Sequence, residues 1–157
     1  MNITLKKILC PVDFSDTSNL ATHYALALAR MNGASLTLLH VVAPPITSLP
    51  GEAGLLTVPQ ADVQEIIEAC KLRLQDVLKE LDAEAVPIEC QTLSGIPFLE
   101  IARYAGDHDF DMIVMGSRGR TGLSHLLVGS VAERVLRKAP CPVLIVKDRG
   151  KIKLDSV

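Results

Sequence analysis

Short apolar runs alternate with longer amphipathic segments along the whole chain, and this alternation limits the fold more than any other feature. The apolar runs, which are typical of buried strands, cover 8–12, 34–42, 86–93, 111–116 and 140–146. Between them, apolar residues recur every three or four positions, which predicts amphipathic helices. Because parallel strands need helix-length connections, the alternation predicts an α/β domain whose mainly parallel sheet carries helices on both faces.

Capping residues mark several of the predicted helix ends. Ser15 or Asp16 is a candidate N-cap for the first helix, and Asn32-Gly33 is expected to end it. Pro97 falls near the first turn of the third helix, where its missing N–H has no cost.

Two segments show neither the apolar runs typical of strands nor the three-and-four spacing of helices. The range 43–59 is rich in Pro and Gly and predicts a long loop, either a lid or a plain surface segment. The range 148–157 has mixed charge and no pattern, and is expected to be a frayed tail after a single domain at 1–147.

Charge and composition argue against nucleic-acid and membrane partners. The formal net charge is −2, from 16 Lys and Arg against 18 Asp and Glu, and no basic block occurs. Two Tyr, three Phe and no Trp leave few platforms for base stacking. The sequence has neither a signal-peptide run at its start nor an uncharged apolar stretch long enough for a membrane helix, so we expect a cytoplasmic protein.

Cysteine and histidine patterns give no sign of a metal or redox site. We expect buried, reduced thiols, because neither zinc-site spacing nor a CxxC pair links Cys10, Cys70, Cys90 and Cys141. His40 is expected to pack in the core, and His23 and His108 to lie on the surface. His125 is expected to be a plain loop side chain, although it could approach a phosphate.

The segment after the fourth strand carries the strongest functional signal. Four positions have the spacing G-x2-G-x9-G-S: Gly116, Gly119, Gly129 and Ser130. Glycines permit close backbone approach, and the N-terminus of the last helix offers unpaired N–H groups with partial positive charge, which together suit a polyphosphate. Arg118 and Arg120 add cationic donors. A glycine-rich turn that only joins strand to helix is the alternative. Neither a Walker A loop nor GxGxxG after the first strand occurs.

Three segments carry a wider resemblance: KKILCPVDFSDTS, LLHVV at the end of the second strand, and DMIVMGSRGRTGLSHLLVGSVAERVLRKAPCPVLIV. With the glycine signature, they resemble the universal stress protein family over nearly the whole chain. The resemblance implies a Rossmann-like open five-stranded parallel sheet of order 3-2-1-4-5 and a dimer. It also implies the branch of the family that binds ATP, because that branch carries G-x2-G-x9-G-S/T.

The resemblance further implies roles for single residues in an ATP site. Asp13 would face the base or ribose, Val41 would meet the adenine edge through its backbone, and Met115 would line the pocket. The other implied contacts are Pro11, Val12, Gly116, Arg118, Gly119, Gly129, Ser130 and Val131. Any Mg²⁺ would be held by the phosphates, and no catalytic or metal-binding residue is assigned. The residues alone leave two alternatives open, with Asp13 as a cap of the first helix and Ser130 as a cap of the last.

The function expected on these grounds is nucleotide-dependent regulation in a stress response. ATP occupancy would change the conformation or the choice of partner, and a homodimer would form through the edge strand at Val143 to Val146. A slow ATP hydrolase is one alternative, although only Asp13 or His125 is available as a base. A nucleotide-free dimeric interaction module is another.

Overall fold

Strands and helices alternate throughout the computed structural model, which describes residues 4–43, 60–117 and 128–147, with side chains at 60–62 left undescribed. The elements are β1 (Lys7–Pro11), α1 (Asp16–Asn32), β2 (Ser35–Val42), α2 (Gln60–Glu80), β3 (Ile88–Ser94), α3 (Pro97–Asp107), β4 (Met112–Gly116), α4 (Ser130–Lys138) and β5 (Val143–Val146). The predicted element order is confirmed. The predicted tail and nearly all of the predicted 43–59 loop lie outside the described residues.

The five strands form one sheet in the order β3-β2-β1-β4-β5, and every described pair is parallel. This confirms the expected topology. The chain winds outward from β1 through β2 to β3, then crosses back to the other side of β1 for β4 and β5. The connections that follow β1 and β4 therefore leave the carboxyl ends of these neighbouring strands in opposite directions. The crevice between two such strands is the usual place for a ligand in a doubly wound sheet.

Apolar side chains cover both faces of the sheet. Successive residues of a strand point to opposite faces, so Ile8 and Cys10 lie in the core cluster that includes buried residues of α1 and α2, whereas Leu9 lies in the cluster that includes those of α3 and α4. β2 is almost wholly buried, as its run of apolar residues predicts. The helices thus lie on both faces, as expected.

The ends of α1 follow the capping signals. Ser15 is the N-cap, and its side chain accepts a hydrogen bond from the N–H of Ser18. Gly33 ends the helix in the left-handed region at φ 63°, where its N–H reaches the carbonyls of Ala29 and Arg30. This conformation is strained for residues with a Cβ, so glycine is the residue that fits this position. The helix end predicted from Asn32-Gly33 is therefore confirmed.

The four thiols are free, but the expectation that all are buried is wrong. Cys10 is fully buried in β1, whereas Cys70, Cys90 and Cys141 are only partly buried. Cys70 lies on α2 at the rim of the cavity described below, and its helix position facing that cavity accounts for its exposure.

None of the helices in the described ranges is both long enough and apolar enough to span a membrane.

Candidate functional site

The sheet splits open between β1 and β4 at its carboxyl end. The N–H of Asp111 donates to the carbonyl of Lys7, so alternation along β1 turns residues 7, 9 and 11 toward β4. Pairing between these strands stops at Leu9↔Ile113. The next donor on this side of β1 would be the N–H of residue 11, which is Pro11 and has none. The proline therefore ends the ladder where the strand order reverses, and a crevice begins there.

The crevice widens into a cavity of about 580 Å³ at the carboxyl ends of β1, β2 and β4. This volume lies in the range of small-molecule sites. The predicted contacts that line it are Pro11, Val12, Asp13, Val41, Met115, Gly116, Gly129, Ser130 and Val131. Arg118 and Gly119, also predicted contacts, lie outside the described residues, as do Arg120 and His125.

One end of the cavity is aliphatic. Val41 and Met115 contribute side chains from β2 and β4, and Ile101 closes this end from α3. Phe and Tyr are absent from the lining residues that the structure describes. A flat ring bound at this end would therefore rest on aliphatic side chains and meet the backbone edge of β2.

Asp13 lies at the mouth of the crevice, directly after β1. Its Oδ1 accepts hydrogen bonds from the N–H of Ser15 at 3.0 Å and from the hydroxyl of Ser15 at 2.6 Å. The N–H of Asp13 donates to the hydroxyl of Ser18 at 3.1 Å. Ser15, rather than Asp13, is the N-cap of α1, so the alternative role of Asp13 as the cap is wrong. The carboxylate is instead held in one orientation at the cavity wall.

The other end of the cavity meets the N-terminus of α4. Gly129 is the N-cap, with φ −71° and ψ 156°, and as a glycine it makes no side-chain hydrogen bond to the helix. Ser130 is the first helical residue, so its alternative role as the cap is also wrong. The N–H groups of the first turn, at Ser130, Val131 and Ala132, have no acceptor within the helix and lie at the cavity wall. Such a terminus attracts anions through these donors and through the helix dipole.

Gly116 serves a packing role that the glycine signature did not reveal. A Cβ built at this position would lie 2.8 Å from the carbonyl carbon of Thr17 and 2.9 Å from the backbone nitrogen of Ser18. These are backbone atoms in the first turn of α1, which cannot move aside cheaply. The end of β4 and the start of α1 therefore meet at a distance that only glycine allows, and this contact sets one wall of the cavity.

Eleven residues that line the cavity were not singled out as contacts from the sequence. They are Ser18, Leu39, His40, Val42, Ala43, Ile66, Cys70, Pro97, Ile101, Ser117 and Ala132. His40 is buried as expected, but it lines the cavity as well. Its place next to Val41, and that of Ser117 between the first two signature glycines, were signals available in the sequence. Nothing in the sequence indicates that Ile66 and Cys70 of α2 reach the site, because their periodicity is that of any amphipathic helix.

The chemistry available at this site is that of binding. Its described polar side chains are the hydroxyls of Ser18, Ser117 and Ser130, the Cys70 thiol, the Asp13 carboxylate and the His40 ring, and backbone N–H groups lie beside them. Oδ1 of Asp13 is already bound by Ser15. Within the described ranges there is no cluster of three or more His, Cys, Asp or Glu side chains that could hold a metal ion.

Comparison with known proteins gives a consistent match. The sequence model described as "Universal stress protein family" matches residues 4–147. Universal stress protein MJ0531 of Methanocaldococcus jannaschii is 39% identical over 147 residues, which cover 93% of this chain and 84% of that protein. The solved structure of MJ0577 is 30% identical, covers 94% of this chain and 99% of that one, and superposes with a TM-score of 0.76.

Two further matching structures hold nucleotides, according to their descriptions. A universal stress protein in complex with cAMP is 27% identical, with a TM-score of 0.66 over 91% of this chain and 97% of its own. The Archaeoglobus fulgidus protein in complex with dAMP is 26% identical, with a TM-score of 0.59 over 93% of this chain and 100% of its own.

Proposed function

The chain belongs to the universal stress protein family, and from this premise we propose that it binds ATP and acts in a stress response. ATP occupancy would alter the conformation or the choice of partner. The observation that carries the proposal is one cavity with an aliphatic end at β2 and β4 and, at the other end, a helix N-terminus whose N-cap, Gly129, has no side chain. A nucleotide has the same polarity, with an apolar planar base at one end and anionic phosphates at the other.

The base and ribose would lie at the aliphatic end. Adenine would pack on Val41 and Met115 and form hydrogen bonds with the backbone of Val41, beside Pro11 and Val12 at the end of β1. Asp13 would accept a hydrogen bond from a ribose hydroxyl through Oδ2, since Oδ1 is bound by Ser15. The relatives solved with cAMP and dAMP support an adenine nucleotide as the ligand, because both of these ligands carry adenine.

The phosphates would lie against the start of α4. Ser130 and Val131 offer backbone N–H groups and one hydroxyl, and Gly116 and Gly129 line the wall beside them without side chains. The N–H of Gly129 itself donates to the carbonyl of Ser117 at 2.7 Å. Arg118 and Gly119 complete the signature and would contact the phosphates. A chain of several phosphates, rather than one, fits a signature that extends over 116–130 and encloses Arg118 and Arg120 in the sequence. Mg²⁺ would accompany ATP as an ion held by the phosphate oxygens.

Calorimetry can test the proposal directly. Titration of ATP with Mg²⁺ into the wild-type protein should give saturable binding. The variant Gly129→Val should abolish it, because the side chain would fill space beside the helix N-terminus, while φ −71° and ψ 156° are open to any residue. Gly106→Ala, at a site packed against Pro140, is the matched control and should bind like the wild type. Absence of binding to the wild type at millimolar ATP, or equal binding by Gly129→Val, would contradict the proposal.

The expected assembly is a cytoplasmic homodimer through β5. This strand pairs with β4 on one side only, and the described part of the sheet ends with it. Leu144, in the middle of the strand, is 37% exposed. An unpaired apolar edge is a natural surface for a second copy, which would extend the sheet or cover the exposed side chain.

A further inference from the structure

The ladder between β1 and β2 stops one hydrogen bond early. Pairing runs from Lys7↔Ser35 to Pro11↔Leu39, and the N–H of Val12 still donates to the carbonyl of Leu39 at 2.8 Å. In a parallel ladder the next bond would join the N–H of Val41 to the carbonyl of Val12. In the described part of the chain, no hydrogen bond joins these two groups.

The carbonyl of Val12 is bound by His40 instead. Nδ1 of His40 lies 2.6 Å from this oxygen. A carbonyl oxygen only accepts, so Nδ1 carries the proton and the tautomer is fixed by the contact. The His40 side chain thus binds the Val12 carbonyl, which the N–H of Val41 would otherwise use as its acceptor.

Packing holds the His40 ring in this position. Its side chain is buried, with the residue 7% exposed. The ring of Phe14 lies 4.6 Å away between centroids, and the Arg73 guanidinium covers Phe14 at 4.1 Å from its centroid. Phe14 itself has φ 64°, a strained conformation for a non-glycine residue, so the surrounding contacts determine its place.

The consequence falls on the backbone of Val41. The carbonyl of Leu39 accepts from Val12, directly after β1, and that of Val42 accepts from Gly95, directly after β3. Alternation therefore turns the N–H and carbonyl of Val41 toward the β1 side. There the cavity begins. An N–H donor beside a carbonyl acceptor matches the edge of a 6-aminopurine, whose N1 accepts and whose amino group donates. In a 6-oxopurine both positions are reversed.

We propose that His40 is a positioning residue that sets purine specificity: by binding the Val12 carbonyl, it keeps the Val41 N–H available for N1 of a 6-aminopurine. Without His40, the N–H of Val41 joins the ladder and the donor is lost to the ligand. This inference rests on the proposed nucleotide site and extends it to the choice of base.

Amide exchange tests the contact without any ligand. In the nucleotide-free protein, NMR-detected hydrogen exchange at Val41 should be fast in the wild type and at least about tenfold slower in His40→Leu, where the N–H pairs with Val12. His40→Asn can place an amide donor near the position of Nδ1 and should keep exchange fast. Equal exchange at Val41 in the wild type and His40→Leu would overturn the inference, whether or not nucleotide binds.

Specificity is tested by comparing ATP with inosine triphosphate, which differs only in the 6-oxopurine base. The wild type should prefer ATP, and His40→Leu should reduce the ratio of the two affinities about tenfold, while His40→Asn retains it. A purely structural role would weaken both ligands equally and leave the ratio unchanged, which would overturn the inference. If His40→Leu fails to fold, His40→Asn against His40→Gln makes the same comparison, because Gln places its donor near Nε2 instead. Binding of neither nucleotide by the wild type would refute the proposed function, and the exchange measurement would still decide the role of His40.

Discussion

At the level of single residues, the site depends on small and rigid groups rather than on reactive ones. Gly116 lets β4 approach the first turn of α1, Pro11 ends a ladder, and Ser15 holds the Asp13 carboxylate. The glycine and the proline act on backbone geometry, and Ser15 fixes the orientation of a side chain. The cavity is therefore shaped before any ligand arrives, which lowers the entropic cost of binding.

The packing role of Gly116 predicts a loss of stability on adding one methyl group. Gly116→Ala should lower the free energy of unfolding by about 1–3 kcal/mol, because its Cβ meets backbone atoms at 2.8–2.9 Å. Gly106→Ala is the control: its Cβ would lie 3.6 Å from Pro140 in ordinary contact, within α3. That variant should be neutral or stabilised by up to about 1 kcal/mol through helix propensity. Urea unfolding measures both, and equal stability of the two variants would refute the role.

Single residues also mark what could be predicted from the sequence. Ser15, Gly33 and Pro97 were predicted because their effects are local to the backbone around them. The contact of Gly116 with α1 and the contact of His40 with Val12 join positions far apart in the chain. Their residue types fit the sites, but the partners are set by tertiary packing, which neither periodicity nor a motif reveals.

At the level of elements, β1 is the central strand, and its burial has a consequence for pH. Cys10 is completely buried, and burial raises the pKa of its thiol to about 12. In the unfolded chain a cysteine thiol has a pKa of about 8.5. Between these values the folded state keeps a proton that the unfolded state loses, so this group makes the free energy of unfolding fall as pH rises.

Removal of the thiol should therefore flatten the alkaline pH dependence. From pH 8 to pH 10, wild-type stability should fall about 2 kcal/mol more than that of Cys10→Ala. Burial also raises the pKa of Cys90, Cys141 and Tyr104, but these groups are present in both proteins and cancel in the comparison. Urea unfolding at the two pH values provides the measurement. Parallel pH profiles would show that Cys10 ionises equally in both states.

At the level of the whole molecule, the proposed nucleotide site and the proposed dimer surface lie at different edges of one sheet. The cavity lies at the carboxyl ends of the strands, whereas the proposed dimer uses the side of β5. Strand β4 joins the two, because it carries Gly116 and pairs with β5 from Ile113↔Val143 to Gly116↔Val146. This shared strand is the direct physical connection through which occupancy of the site would reach a partner surface.

The dimer is tested by a change on the exposed face of β5. Sedimentation at micromolar concentration should show a dimer for the wild type and a shift toward monomer for Leu144→Glu, since the charge would be placed in an apolar interface. Leu72→Glu, at an exposed position on α2, is the control and should remain dimeric. A wild-type protein that sediments only as a monomer would contradict the proposed assembly.

The central claim is that the cavity binds ATP in the folded state, and a thermal melt with and without Mg-ATP tests it most directly. A ligand that binds only the folded state at 100 times its dissociation constant stabilises it by about 2.7 kcal/mol, which raises Tm by several degrees for a domain of this size. We predict that rise for the wild type and none for Gly129→Val. An unchanged wild-type Tm at millimolar Mg-ATP, or the same rise in both proteins, would contradict the account.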